Sequence, residues 1–305
     1  QSATRIVRRG LTPIAFRIRS ASIATAQPAA FTTADTRADD PALIIYTSGT
    51  TGRPKGVMTG HRQNLRLYAE WCDLADLRQG DRYLIVNPFF HTFGYKAGCI
   101  ASMIRGATVL PVPVLELDRL VDIIEAERIT MLPGPPTLYH SLLDVARRDG
   151  AKARLATLRA AVTGSADIPV ELIRRVHDEL PFETIMTGYG LTEAGTVTAS
   201  RRGDSFEDIA TTVGIACAEQ ELRIAEDGEL LVRGYNVMQG YLDDPEATAA
   251  AIDPDGWLHT GDIGRLDDLG RLAAESVLAI LAGEHRAGVI THECELVVRE
   301  STAVA

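Results

Sequence analysis

The amino-acid sequence predicts an α/β fold, a mostly parallel sheet layered with helices, followed by a small β-rich subdomain. Three observations lead there. Between residues 39 and about 190, strand-like runs alternate with helix-like segments, the pattern of βαβ units. Three glycine-bearing stretches, TSGTTG (47–52), TGSAD (163–167) and TGYGLTEAG (187–195), each follow a strand-like run. In such sheets ligands bind beyond the carboxyl ends of the strands, so the three stretches point to one ligand site. From about residue 212 the texture changes to hairpins.

Residues 1–38 stand apart. Arg5, Arg8, Arg9, Arg17 and Arg19 occur with no acidic residue before Asp35, among many Ala, Ser and Thr residues. This composition resembles a transit peptide but lacks a clear apolar stretch, so the segment reads as a disordered or non-native leader. An α/β core follows over 39–210. Its expected strands are ALIIY (42–46), RYLIVN (82–87), ATVLPV (107–112), ITML (129–132), RAAVTG (159–164) and ETIMTG (183–188). Helices are expected over 61–75, 91–104, 116–127, 135–148 and 169–180. Leu117, Leu120, Val121 and Ile124 fall at i, i+3, i+4 and i+7, which gives one apolar stripe. The β-rich subdomain spans 211–272. QELRIAEDGELLVRG reads as a hairpin turning at Asp227–Gly228, and GDIGRLDDLGRL as a second turning through Asp267 to Gly270.

Composition narrows the function. The 305 residues are 46% hydrophobic and 24% charged, with a net charge of −10. That balance disfavours nucleic-acid binding, and no apolar run is long enough to span a bilayer. Cys72, Cys99, Cys217 and Cys294 are far apart and form no CxxC pair. Neither a zinc site nor a disulfide framework is expected, which fits a reducing cytoplasm. Only three lysines occur, Lys55, Lys96 and Lys152.

YTSGTTGRPKG (46–56) carries the clearest chemistry. Its glycines let the backbone approach a ligand, successive amides form an anion-binding concavity, and Lys55 adds a point charge. Pro54 stands where the Walker A spacing wants glycine. The stretch is either a different phosphate loop or a surface turn. Taken singly, other residues have plain readings too. Glu193 suits a first helical turn beside a Thr cap, Asp262 a turn, His91 a structural histidine and Tyr189 core packing.

The ordered set is more specific. YTSGTTGRPKG resembles the phosphate-loop signature of the adenylate-forming (AMP-binding) superfamily, and TGYGLTEAG its second signature. GELLVRGYNVMQGYLDDPEAT and GWLHTGDIGRLDDLGRL resemble the third and fourth, and NPFFHTFGYKAG the acyl-pocket segment. The resemblance covers about 39–272. It implies part of the large domain of an adenylate-forming enzyme that joins a carboxylic acid to ATP, releases pyrophosphate and passes the acyl group to coenzyme A. Thr47, Ser48, Gly49, Thr50, Thr51, Gly52 and Lys55 would then grip the β- and γ-phosphates. Thr192 would reach the α-phosphate, and Glu193 with Thr50 would hold Mg²⁺. Gly164, Ser165 and Ala166 would flank the adenine, on which Tyr189 stacks. Thr187, Gly188, Gly190 and Leu191 complete that wall, Asp262 takes the ribose hydroxyls, and His91 gates the acyl pocket.

Leu191 stands where amino-acid-activating members carry proline, and the pocket segment has no acid. Both features favour the acyl-CoA synthetase branch over amino-acid-activating members, with an adenylation domain of another branch, peptide-synthetase or luciferase-like, as the alternative. Phe89, Phe90, Phe93 and Tyr95 suit a fatty or other apolar acyl group. NPFFHTFGYKAG with MLPGPPTLY further resembles acyl-CoA ligases acting on fatty acids or on acidic fragments from steroid-ring breakdown. Residues 273–305 depart from the family and contain no lysine. The resemblance therefore implies impaired ligation, or an inactive nucleotide- and acyl-binding remnant.

Overall fold

The computed structural model describes residues 35–47, 54–112, 115–148, 151–164 and 168–274. The leader as far as residue 34 and the tail from residue 275 lie outside them, as do Ser48–Gly52, Ser165 and Ala166.

In chain order the elements are β1 (Pro41–Thr47), β2 (Lys55–Gly60), α1 (His61–Leu74) and β3 (Arg82–Ile85). A π-helical segment, Phe93–Ile100, runs into α2 (Ala101–Arg105). Next come β4 (Thr108–Pro111), α3 (Leu117–Glu127), β5 (Met131–Pro133), α4 (Pro136–Ala146), α5 (Ala151–Arg154), β6 (Ala160–Thr163) and α6 (Val170–Glu179). Then follow β7 (Thr184–Leu191), β8 (Gly195–Ala199), α7 (Phe206–Thr211) and β9 (Ile215–Ala216). The remainder is β10 (Gln220–Ile224), β11 (Glu229–Gly234), β12 (Gly240–Tyr241), α8 (Pro245–Ala251), β13 (Leu258–Leu266) and β14 (Leu272–Ala274).

The main sheet has seven strands in the order β4-β3-β5-β6-β7-β8-β9. From β4 to β7 every pairing is parallel, and β8 and β9 add antiparallel. Side chains alternate between faces with a period of two. Leu84, Leu132 and Ala161 enter a core beneath α3, α4 and α6. Their neighbours Tyr83, Ile85, Met131, Ala160 and Val162 enter a second core, against α1 and the π-helical segment. Helices on both faces explain why these strands read as nearly continuous apolar runs. The stripe expected on α3 is buried at Leu120, Val121 and Ile124, whereas Leu117 is 40% exposed.

Three local expectations need correcting. The strand expected at 42–46 lies outside the parallel sheet. It pairs antiparallel with β2, in a separate sheet ordered β1-β2-β12. TGYGLTEAG is no loop after a strand: β7 runs through Leu191, and the turn occupies only Thr192–Ala194 before β8. The helix expected at 91–104 begins in π-helical form. Gly94 permits this geometry, because a β-carbon there would collide with the Asn87 and Pro88 carbonyls. Both hairpins of the β-rich part form, β10 with β11 and β13 with β14, in a four-stranded sheet ordered β10-β11-β13-β14.

Candidate active site

Parallel strands end together, so the carboxyl ends of β3, β5, β6 and β7, and the residues just after them, gather at one edge of the sheet. Asn87, Gly134–Pro135, Thr163–Gly164 and Gly188–Gly190 meet there around a cavity of about 250 Å³. Tyr68 and Trp71 of α1 and the stretch His91–Phe93 close its other side. Gly195 faces it in the left-handed region, at φ +63°, and a β-carbon there would stand 2.5 Å from Leu67 Cδ2. Only glycine combines that backbone with that approach. Thr163 Oγ1, on the cavity wall, is buried and has no hydrogen-bond partner. A buried orphan hydroxyl costs stability unless something polar meets it, which fits a polar ligand.

His91 is exposed at the rim. Its Nδ1 accepts from the Phe93 amide at 3.1 Å, which assigns the ring proton to Nε2. Phe90 beside it is 82% exposed.

Two tyrosine–carboxylate pairs flank the cavity. The Tyr189 hydroxyl donates to Asp262 Oδ2 at 2.5 Å, tying β7 to β13. The Tyr241 hydroxyl donates to Glu193 Oε1 at 2.9 Å, and the Lys55 ammonium lies 4.9 Å from the centre of the Tyr241 ring. Burial pushes both phenols well above their ordinary range. The Asp262 hydrogen bond raises Tyr189 further, and the Glu193 charge raises Tyr241. Both therefore stay protonated donors at neutral pH. The turn that carries Glu193 is pinned from the β-rich side: Met238 N donates to Glu193 O at 2.7 Å, and Asn236 Nδ2 to Ala194 O at 3.0 Å.

Of the residues singled out in the sequence, His91, Gly164, Gly188, Tyr189 and Gly190 share the cavity wall. Lys55 and Glu193 converge on Tyr241, and Asp262 on Tyr189. Thr47 ends β1 opposite Lys55. Thr187 is buried, with its amide donating to Ser200 Oγ at 3.0 Å. Leu191 pairs with Gly195, and Thr192 occupies the turn between them. Neither Thr187, Leu191 nor Thr192 is among the cavity-wall residues. Sequence reasoning missed Tyr241, Thr163 and Trp71. Tyr241 lies inside the third signature, but nothing local marks a tyrosine that bridges two distant charges.

The groups present fit a magnesium ion. Glu193 is half-buried, and only its Oε1 is engaged by Tyr241. Mg²⁺ is commonly held by one or two carboxylates plus substrate phosphates. No cluster of three or more His, Cys, Asp or Glu side chains suited to a metal occurs among the described residues.

Comparison with known proteins bears on the family and the fold. The family model described as AMP-binding enzyme matches residues 10–242. The chain is 50% identical over 232 residues to 3-[(3aS,4S,7aS)-7a-methyl-1,5-dioxo-octahydro-1H-inden-4-yl]propanoyl:CoA ligase of Rhodococcus jostii (strain RHA1), covering 76% of this chain and 45% of that protein. It is 54% identical over 235 residues to the same-named ligase of Mycobacterium tuberculosis (strain ATCC 25618 / H37Rv), covering 76% and 46%. The chain thus spans about half the length of these curated relatives. The crystal structure of ATP-bound MatB from Rhodopseudomonas palustris superposes with a TM-score of 0.70 at 29% identity, covering 80% of this chain and 50% of that one. A match across most of the sequence, on a fold shared with solved relatives, makes this chain a member of the AMP-binding enzyme family.

Proposed function

We propose that this chain carries the nucleotide and acyl site of an acid–thiol ligase, which activates a carboxylic acid with ATP and hands the acyl group to coenzyme A. The observation that carries this reading is the pairing of one apolar cavity with two held carboxylates and one lysine at the same sheet edge. In the first step a carboxylate oxygen attacks the α-phosphorus. The bond to the β-phosphate breaks and pyrophosphate leaves. In the second, the thiol sulfur attacks the acyl carbon, releasing AMP and the thiol proton. Neither step needs a side-chain nucleophile, so the protein's part is positioning and charge compensation.

Lys55 is suited to the outer phosphates and Asp262 to the ribose hydroxyls, since an ionised carboxylate only accepts. Glu193, with Thr50, would hold Mg²⁺, which neutralises phosphate charge when bound, and Thr192 would reach the α-phosphate. Trp71, Phe93, Val162 and Met186 give the cavity an apolar wall, with His91 at its mouth. The two relatives named above act on a propanoyl group borne on a fused two-ring diketone. We take an acid of that steroid-derived class as the preferred substrate, ahead of a fatty acid. Three described cysteines are free thiols, and ATP and coenzyme A are cytoplasmic substrates, so the reading places the reaction in the cytoplasm.

Pyrophosphate release across a panel of acids tests it: the ring-fused propanoate, a fatty acid, a coumarate and malonate, with acyl-CoA formation followed in parallel. Release confined to the ring-fused acid is expected. Nucleotide binding without release from any acid would favour an inactive binding remnant.

A further inference from the structure

We propose that Tyr241 is a positioning residue of the phosphate end of the site, holding Lys55 and Glu193 apart so that each remains available to a nucleotide and its divalent cation. This rests on the nucleotide reading above and adds to it a residue that the reading does not assign.

Three observations carry the inference. First, Tyr241 touches both charges through different parts of its side chain, the hydroxyl to Glu193 and the ring face to Lys55. Second, no ion pair joins Lys55 to a carboxylate among the described residues. Third, Tyr241 is only 9% exposed and its backbone is fixed. Its amide donates to Thr248 Oγ1 at 2.9 Å, it pairs with Val57, and Leu242 N donates to Gly56 O at 2.7 Å. That pairing docks β12 onto β2, the strand that begins at Lys55.

The chemistry follows from what each contact leaves unspent. A direct Lys–Glu pair would cancel both charges and would have to break before a triphosphate entered. A ring face orients an ammonium without neutralising it, and holds it weakly enough to release toward phosphate. A neutral hydroxyl fixes one carboxylate oxygen while leaving the group anionic for a hard cation.

The test is calorimetric titration of the whole chain with α,β-methylene-ATP at several Mg²⁺ concentrations, and with AMP alone. Wild type is compared with Tyr241→Phe and Tyr241→Leu. For Tyr241→Phe, the Mg²⁺ concentration that supports analogue binding should rise roughly tenfold, the low end of what outer-sphere partners of metal ligands supply. AMP, which lacks the outer phosphates, should bind as in wild type. Tyr241→Leu should lose a further few-fold in analogue affinity at saturating Mg²⁺, through loss of the ring contact to Lys55. An unchanged Mg²⁺ dependence in Tyr241→Phe overturns the proposal. So does an equal weakening of AMP, which a merely structural role would produce. If Tyr241→Leu does not fold, Tyr241→Phe decides alone. Wild type that binds neither analogue nor AMP overturns the nucleotide reading itself, and the proposal with it.

Discussion

The two ends of the parallel sheet treat charge in opposite ways. At the amino-terminal ends Arg159 is locked: its guanidinium donates to Asp76 Oδ2 and to Asp81 Oδ2, each at 2.6 Å. Thr130 Oγ1 donates to Asp81 Oδ1 at 2.8 Å, and Thr184 Oγ1 to Asp76 Oδ2 at 3.3 Å. These residues lead into β3, β5, β6 and β7, and Arg78 Nε donates to Asp76 Oδ1 at 2.9 Å, so the network fastens four strands with two guanidiniums against two carboxylates. At the carboxyl ends Lys55 and Glu193 share a tyrosine, and the Thr163 hydroxyl has no partner. One end is finished and serves stability. The other is left incomplete for a ligand to finish, the usual place for a fold to carry unsettled electrostatics.

Breaking the finished end should have the largest effect on stability. Arg159→Ala strands Asp81, whose side chain is 7% exposed, and should cost about 3–5 kcal/mol in chemical denaturation. A loss below about 1 kcal/mol, within the range of a surface pair, would show the two ends to be less different than argued. Glu193→Gln should leave the denaturation midpoint nearly unchanged. Mg²⁺-dependent pyrophosphate release should fall about a hundredfold, a transition-state loss of about 2.7 kcal/mol. Equal release at every Mg²⁺ concentration would remove Glu193 from the cation site.

Lys96 sharpens the comparison, because it is a buried charge on the site side with little compensation. It is 2% exposed, and its ammonium donates to Thr59 Oγ1 at 3.2 Å. Burial lowers its pKa to about 8. The unfolded chain keeps the ordinary higher value, so the folded protein carries the full cost of the charge below pH 8. That cost fades as pH rises through 8 toward the unfolded value. Lys96→Met should therefore stabilise the protein by about 3 kcal/mol at pH 7, each pKa unit being worth about 1.4 kcal/mol. The gain should shrink by pH 10. A gain independent of pH would mean that packing, not charge, sets the effect.

Tyr189→Phe removes the hydroxyl bond to Asp262 and should cost about 1–2 kcal/mol in stability, with a several-fold drop in AMP affinity. Unchanged AMP affinity would place Asp262 outside the ribose site. The smallest effect concerns acid. Burial alone would raise the Asp76 pKa, but the Arg78 hydrogen bond and the Arg159 charge outweigh it and hold the carboxyl below its usual range. Its contribution is present above the unfolded carboxylate pKa and is lost as pH falls through the lower folded value. Acid denaturation in Arg159→Ala should begin at higher pH than in wild type.

Much of the fold was legible because it depends on local order. Alternating runs at 82–87, 107–112, 129–132, 159–164 and 183–188 became β3 to β7, since short β-branched and apolar stretches between helical periods suit a sheet covered on both faces. Asp227–Gly228 marked its hairpin because the turn needs φ > 0, and Gly228 sits at φ +89°. ALIIY was legible as a strand but not as a member of a separate antiparallel sheet, since an apolar run does not name its partner. TGYGLTEAG looked like a loop because glycines outweighed strand propensity. In the fold, Gly190 instead allows the close pairing of β7 with β8. The acidic and glycine-bearing site residues stood out through their order along the chain, whereas Tyr241 and Thr163 were hidden among ordinary core types.

By itself the sequence determined the layer of parallel strands, the two hairpins, and a supply of hydroxyls, acids and one lysine at strand ends. These follow from periodicity and turn chemistry, which act over a few neighbouring residues. Only the tertiary structure decided which charges are cancelled and which are kept. That choice depends on β12, a two-residue strand too short to carry a pattern of its own, which docks onto β2 and sets a tyrosine between a lysine and a glutamate far away in sequence. Contacts of that kind are fixed by the packing of whole layers.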